Sequence, residues 1–436
     1  MGERATNVRW WTLAGLTGFA FVSYLERVNI SVAAEVMIPA FGFSKVQMGQ
    51  IFTSYLIGYA LFQIPGGWLG DRFGPRITLA ASALVWGLAT IATALLPTLF
   101  GGTLVASFAV LWVTRFVLGL GQATTFPVGN RVVRNWMPPR ERGFGGSIMF
   151  LGTASASAAT GPLVAWVMLR LGWQRSFYVT AVPAFAIAVL WYVMARDTPE
   201  EHPRANAAEW ALIAPEANAV VPRVEVTDAA GTPTLMDLLR RRNVLLLVLS
   251  YTSEGYVLFI FVFWIYIYLV EKRGFSMIRG GWVAALPWLT ALVLVPVGGY
   301  ACDWLAARGG RLYGARWVIL VGYGLSGVLL FLAAYADAAW LSVAALCLSI
   351  GCLMGAEASF WATATLLAGD RVGALSGVMN TAGIIGGIAS TSLMPVLVSR
   401  YGWLPALGSG AAMAILCVLL WTVIAERPGD ARAETA

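Results

Sequence analysis

Twelve apolar runs recur along this chain of 436 residues, each near the length a helix needs to cross a bilayer, about 20 residues. They lie near 10–34, 47–69, 77–97, 103–129, 144–168 and 176–195, and, after a polar stretch, near 244–270, 281–302, 317–336, 340–362, 374–398 and 404–424. Lipid offers nothing to hydrogen-bond to backbone groups, so isolated spans of this kind must be helical. The pattern predicts an all-α integral membrane protein: two pseudo-symmetric six-helix bundles, 1–195 and 244–436, the second with a short tail, joined by a linker loop over 196–243. Charged residues are only 12% of the chain and hydrophobic ones 59%, against about 25% charged in soluble domains, which excludes a soluble fold. The first run is long and lacks a small-residue cleavage site, so a cleaved signal peptide is not expected.

The net charge of +7 would suit nucleic acid, but the basic residues fall in short loops between spans. Of the 29 lysines and arginines, 20 lie on one set of alternate loops, seven on the other, and Arg27 and Arg115 lie within helices. This bias predicts that both termini and the central loop face the cytoplasm. With 27 arginines and two lysines, the composition suggests a GC-rich bacterium and hence its inner membrane. The four cysteines (Cys302, Cys347, Cys352, Cys417) lie in or beside spans with no metal spacing, and the one histidine, His202, lies in a polar loop. No metal, cofactor or histidine proton relay within the membrane is expected. The segment 196–243 reads as a tether, partly disordered, and the aromatic stretch Phe259–Tyr268 as lipid-facing or interfacial.

Glu26 and Arg27 stand side by side inside the first run. A charge left in hydrocarbon costs about 2.5–3.5 kcal/mol on insertion scales, so such residues face a bundle interior or a wet cavity. Arginine also grips carboxylates with a two-pronged fork, so the pair points to an anion site at membrane depth, or to a neutralising pair that aids packing. Tyr24 precedes Arg27 by three residues on the same helical face. Arg115 and Gln122 sit seven apart, on one face two turns apart. Glu254 and Glu357 are further acids within spans, either proton carriers or structural hydrogen-bond partners, and Trp361 shares a face with Glu357.

The turn Gly67-x-x-x-Asp71-Arg72-x-Gly74-x-Arg76 follows the second span, and a decayed copy, Gly299-x-x-x-Asp303, follows the eighth 232 residues later. Matching turns in matching places mark a duplication, which is common in alternating-access transporters. The first of these turns resembles the signature of the major facilitator superfamily, in which it lies on the cytoplasmic face and helps latch the outward-open state. Gly67, Asp71, Arg72, Gly74 and Arg76 would then form a conformational latch, with Asp71 facing a helix N-terminus across the bundle interface and the arginines anchoring in headgroups.

A narrower resemblance covers most of the chain. Tyr24-Leu25-Glu26-Arg27-Val28-Asn29, Gln63-Ile64-Pro65-Gly66-Gly67, Phe126-Pro127 and the stretch from Arg131 to Gly143 resemble the anion:cation symporters. These include bacterial hexuronate, galactonate and glucarate transporters, sialin and the vesicular glutamate transporters. The resemblance implies an organic-anion substrate and, in many members, proton coupling. Arg27 matches the arginine that holds the substrate carboxylate, and Glu26 a neighbouring acid that is usually aspartate. Arg115 matches a family arginine, but Gln122 stands where relatives carry the coupling glutamate and cannot titrate. Asn380 matches a polar position that faces substrate.

The expected function is therefore proton-driven symport of a small organic anion, a sugar acid such as a hexuronate, aldonate or aldarate, by a rocker-switch monomer. Substrate-binding residues would be Tyr24, Arg27, Tyr59, Gln122, Trp361 and Asn380, and proton-coupling residues Glu26, Arg115, Glu254 and Glu357. Glu26 protonation would loosen its hold on Arg27. Tyr55, Thr153, Ser155 and Ser157 are secondary candidates. Gln122 equally motivates a uniporter or an anion exchanger. Drug export is disfavoured, because Leu163-Val164-Ala165 follows Gly161-Pro162 in place of the exporters' glycine pair. A ligand sensor would need a partner surface that the sequence does not display, and an enzyme a nucleophile–base pair or a phosphate loop.

Overall fold

A computed structural model describes residues 5–100, 102–138, 141–213, 235–368 and 372–424. The long helices are α1 (Val8–Phe41), α2 (Lys45–Phe100), α3 (Leu104–Gln122), α4 (Thr125–Trp136), α5 (Arg142–Leu171) and α6 (Trp173–Met194). Two short helices, α7 (Ala207–Ile213) and α8 (Leu235–Leu239), precede α9 (Arg242–Phe263), α10 (Ile265–Glu271), α11 (Met277–Gly309), α12 (Arg311–Tyr335), α13 (Ala339–Gly355), α14 (Glu357–Ala368), α15 (Val372–Tyr401) and α16 (Trp403–Val423). Among the described residues there are no strands. Among the described residues ten helical stretches are long and apolar enough to span a membrane, and Lys45–Phe100 holds two helices broken at Gly74. With α1, whose 34 residues exceed a bilayer crossing, these give the twelve spans.

The chain divides into two units, one comprising 1–42 and 54–231, the other 43–53 and 232–436. The first turns of α2 belong to the second unit. There Phe52 stacks on Phe263 at 4.9 Å, Thr53 Oγ1 lies 2.8 Å from Thr391 Oγ1, and Lys45 pairs with Glu271.

Duplication is written in the backbone. Among the described residues every positive φ belongs to glycine, and the six occur as three pairs at matching helix junctions: Gly42 with Gly274, Gly74 with Gly310, and Gly172 with Gly402. Close helix approaches repeat as well. In the first unit a Cβ on Gly58 would strike the Phe116 carbonyl and one on Gly119 the Tyr55 carbonyl, locking α2 to α3. In the second, a Cβ on Gly298 would strike the Gly355 carbonyl, locking α11 to α13. Small residues let membrane helices meet backbone to backbone, where packing and polar contacts must drive association without a hydrophobic effect.

Four expectations change. Asp303 lies inside α11, and the junction glycine of the second half is Gly310, which shares the backbone geometry of Gly74 (φ 91°, ψ 162° against φ 80°, ψ 158°). The fourth, seventh and tenth spans are each broken, at Ala123–Thr124, Trp264 and Ala356. The aromatic stretch Phe259–Tyr268 does not face lipid: Phe259, Phe261, Phe263, Trp264, Tyr266 and Tyr268 are all buried. Tyr268 donates to the Ala333 carbonyl at 2.7 Å, and Arg273, counted above as a loop charge, donates to Tyr268 and to the carbonyls that end α12.

The fourth change concerns the start of the linker, which is an ordered strap across one end of the first unit. Arg76 N donates to Asp197 Oδ1 at 2.7 Å, Asn135 to the Asp197 carbonyl at 2.9 Å, and the Trp136 indole to the Arg196 carbonyl at 3.1 Å. Glu209 in α7 accepts from Thr6, from Val8 N and from Arg9 N, so it caps the start of α1 with a negative charge where the helix dipole favours one. Residues 214–234 lie outside the described structure.

Gly74 is the residue on which this end turns. Its φ of 80° suits only glycine, and a Cβ there would collide with the Asp197 carboxylate. Gly74→Ala is expected to destabilise the protein by about 1–3 kcal/mol, the usual cost of such a backbone conformation. Thermal unfolding of the purified protein measures it.

Candidate functional site

The middle of α1 is wrapped by the first unit, so that every residue from Leu25 to Ala34 is buried. Burial of this kind leaves no solvent for Arg27, which is 4% exposed. Its guanidinium lies over three tyrosine rings, 4.1 Å from the centroid of Tyr24, 5.1 Å from Tyr55 and 5.0 Å from Tyr59. Helical spacing builds this cage: Tyr24 is one turn before Arg27 on α1, and Tyr55 and Tyr59 are one turn apart on α2. Ring faces attract a desolvated cation. They do not accept its N–H groups, and Nε and Nη2 of Arg27 are buried without a hydrogen-bond partner. The structure thus presents a held cation with unused donors, an arrangement suited to an anionic oxygen pair.

Gln122 positions the cage. The Tyr55 hydroxyl donates to its Oε1 at 2.9 Å, and its Nε2 donates to the Ser23 carbonyl at 2.9 Å. Both ends of the amide are engaged with α1 and α2, so Gln122 acts on Arg27 through Tyr55. The expectation that its amide would meet substrate directly is not supported by this geometry.

The expected pairing of Glu26 with Arg27 is absent among the described residues. Adjacent residues on a helix point about 100° apart, and here they enter different surroundings. Glu26 turns toward the Thr90 hydroxyl and the Arg115 charge, with both carboxylate oxygens buried and lacking a hydrogen bond of good geometry. Arg115 donates to the Glu26 carbonyl at 3.1 Å and to Asn29 Oδ1 at 2.8 Å, and Asn29 donates to Thr180 at 2.9 Å. Two buried arginines, Arg27 and Arg115, thus stand near one buried acid, Glu26.

The second unit gathers acids. Glu357 begins α14, directly after the break at Ala356, and its Oε1 accepts from the Tyr251 hydroxyl and the Trp361 indole, both at 2.7 Å. Its Oε2 is buried without a partner. Glu254, one turn after Tyr251 on α9, is buried and close enough to feel the Glu357 charge. Trp361 lies edge-on to Tyr251 at 5.6 Å, and Asn380 on α15 is half-buried. Thr153 and Ser157 on α5 give their hydroxyls to carbonyls of their own helix, which reads as helix packing.

In the signature turn, Asp71 pairs with Arg131 of α4 within the same unit. Arg76 Nε donates to the Tyr192 carbonyl at 2.7 Å with its guanidinium 4.6 Å from that ring. Arg72 lies over Trp68 at 5.3 Å, and Gly67 sits beside Pro127.

Twelve spans in two duplicated units, with arginines and glutamates buried inside them, are the architecture of a membrane transporter. Residues 16–311 match the profile of the Major Facilitator Superfamily, and the chain belongs to that family. It is 33% identical over 399 residues to a probable sulfoacetate transporter of Cupriavidus necator, covering 91% of this chain and 89% of that one. It is 30% identical to the hexuronate transporter of Bacillus subtilis, covering 84% and 83%, and 29% identical to a probable galactarate/D-glucarate transporter of Escherichia coli, covering 96% and 94%. These relatives are named as transporters of small organic anions and not as enzymes. The fold matches a bacterial homologue of the human lysosomal transporter Spinster with a TM-score of 0.73 at 15% identity, covering 97% of each chain. It matches the E. coli xylose transporter with a TM-score of 0.73 at 13% identity, covering 96% of this chain and all of the other.

Gln122→Leu removes the acceptor of Tyr55 and the donor to Ser23. It is expected to destabilise the protein by about 1–3 kcal/mol, as for buried groups left unpaired, which thermal unfolding reads. Gln122→Glu, which keeps an acceptor for Tyr55, is expected to lose less.

Proposed function

We propose that this protein takes up a small organic anion by alternating access, with Arg27 as the anion's anchor. The observation that carries the reading is the caged guanidinium with two unused buried donors. The names of the relatives support it, since sulfoacetate, galactarate, glucarate and hexuronates are all small carboxylates. A sugar acid is the proposed substrate class. Tyr24, Tyr59, Trp361 and Asn380 are the further side chains proposed to meet the substrate during the cycle.

Proton coupling is part of the proposal. Glu26, placed against Arg115, is the candidate acid in the first unit, and Glu254 with Glu357 in the second. Arg115 would set the charge that Glu26 feels. The route through Arg27 expected from the sequence gives way to a route through Arg115, because Glu26 faces that residue. The turn around Gly67, Asp71, Arg72, Gly74 and Arg76 would act as the latch of the cycle. The spans 1–195 and 244–436 would form the moving halves, in a bacterial inner membrane with both termini cytoplasmic.

A uniporter or an exchanger is the second reading, and Gln122 favours it. An amide with both ends hydrogen-bonded cannot titrate, at a position where the relatives resembled above carry a glutamate.

Uptake of labelled hexuronate, aldonate, aldarate and sulfoacetate into proteoliposomes tests both. Symport predicts accumulation that rises with an inward proton gradient. Gradient-insensitive uptake stimulated by internal counter-substrate selects exchange. Arg27→Lys keeps the charge but loses the fork, and is expected to raise the apparent KM by roughly tenfold or more. Glu357→Gln is expected to abolish gradient-driven accumulation while leaving exchange intact if the second-unit acids carry the proton.

A further inference from the structure

Anions of the proposed class differ in how many charges they carry. A hexuronate or an aldonate has one carboxylate, and an aldarate of the same length has two. A charge left without a partner at membrane depth is costly, so the protein must match that number with cations.

Cations at that depth are few. Of the 29 lysines and arginines, only Arg27 and Arg115 are buried among the described residues. Both belong to the first unit, Arg27 on α1 and Arg115 on α3, and their surroundings differ. Taken by itself, the second unit buries Glu254 and no arginine or lysine among the described residues.

Arg115 is committed within the protein. Its Nη1 donates to the Glu26 carbonyl at 3.1 Å and its Nη2 to Asn29 Oδ1 at 2.8 Å. Asn29 is held in turn, because its amide donates to Thr180 at 2.9 Å. The Arg115 charge acts on the Glu26 carboxylate, and the Phe177 ring lies 5.2 Å from its guanidinium. This cation therefore has an acid of its own.

Arg27 has none. Among the described residues no carboxylate lies within ion-pair distance of it. Its neighbours are the faces of Tyr24, Tyr55 and Tyr59, which carry no counter-charge. Nε and Nη2, its two unpartnered nitrogens, share one edge of the guanidinium. Two parallel N–H groups on one edge match two oxygens of a single acidic group. The protein thus offers one open fork and one unmatched positive charge.

We infer that the anion carried by this protein bears a single negative charge, with neutral hydroxyl groups where a dianion has its second acidic group. The inference rests on the reading of Arg27 as the anchor. Within the sugar acids it selects hexuronates and aldonates over aldarates, and among short sulfonates a hydroxysulfonate over a sulfocarboxylate. Discrimination works through the group that finds no partner: a dianion on Arg27 leaves its second carboxylate without a counter-charge, whereas a hydroxyl needs only a hydrogen bond.

Matched pairs that differ only in that group test the inference. Galactonate ends in a hydroxymethyl group where galactarate has a second carboxylate, and isethionate stands in the same relation to sulfoacetate. Isothermal titration of the purified full chain at neutral pH measures the binding of each. The monoanion of a pair is expected to bind at least about tenfold more tightly than the dianion. The monoamide of galactarate keeps the length and removes one charge, and is expected to bind about as tightly as galactonate. Equal or tighter binding of the dianion in a pair that binds overturns the inference. So does a monoamide as weak as galactarate beside a tightly bound galactonate, since size would then decide in place of charge.

Arg27→Lys, shown to be folded by its melting temperature, separates this failure from failure of the anchor. If the variant loses about tenfold in affinity while wild type binds the dianion equally well, the anchor stands and the single-charge rule falls. If the variant binds all five compounds as wild type does, or wild type binds none of them, the anchor reading falls and takes the inference with it.

Discussion

A guanidinium held at membrane depth without its own counter-charge is the constraint that organises the first unit. Arg27 cannot reach water, and its neighbour Glu26 faces elsewhere, so the protein stabilises it with three tyrosine faces. That choice has structural consequences. The rings must be held rigidly, which Gln122 does for Tyr55, and α2 must lie close to α3, which Gly58 and Gly119 permit. Cation–π contact supports the charge without satisfying its donors, which differs from an ion pair: the attraction is provided and the hydrogen bonds remain open.

The two units share a backbone plan and differ in chemistry. Junction glycines match in position and conformation, and the fourth and tenth spans both break. At these breaks stand Gln122 in one unit and Glu357 in the other, each bonded to a tyrosine hydroxyl of a neighbouring helix. The first unit buries Arg27 and Arg115 together with Glu26, whereas the second buries Glu254 without a buried arginine among the described residues. Duplication therefore supplied a geometry twice, and the side chains at the two breaks differ in chemistry, an amide in one unit and a carboxyl group in the other.

Much of the architecture was legible in the order of residues. Span number follows from apolar run length, and the duplication from the paired turns near Asp71 and Asp303. Boundaries were less legible, because Asp303 continues a helix that nothing local interrupts before Gly310. The aromatic stretch Phe259–Tyr268 misled for a physical reason: tyrosine and tryptophan suit both a membrane interface and a buried, hydrogen-bonded interior. Tyr268 is of the second kind, held between Arg273 and the Ala333 carbonyl. The strap misled in the same way. A polar segment with prolines resembles a tether, but Asp197 and Glu209 each find buried or half-buried backbone donors at a helix end.

By itself the sequence determined that this chain crosses a membrane twelve times, that it is duplicated, and that Arg27 is a buried charge in need of a purpose. Those properties depend on composition and run length, which are local. Only the tertiary structure decided what each polar side chain faces. Glu26 and Arg27 are neighbours in sequence and strangers in space, because one residue is a rotation of about 100° along a helix. Tyr55, Gln122 and Arg115 acquire their roles from partners on other helices, and no spacing along one helix specifies which of its faces meets which neighbour.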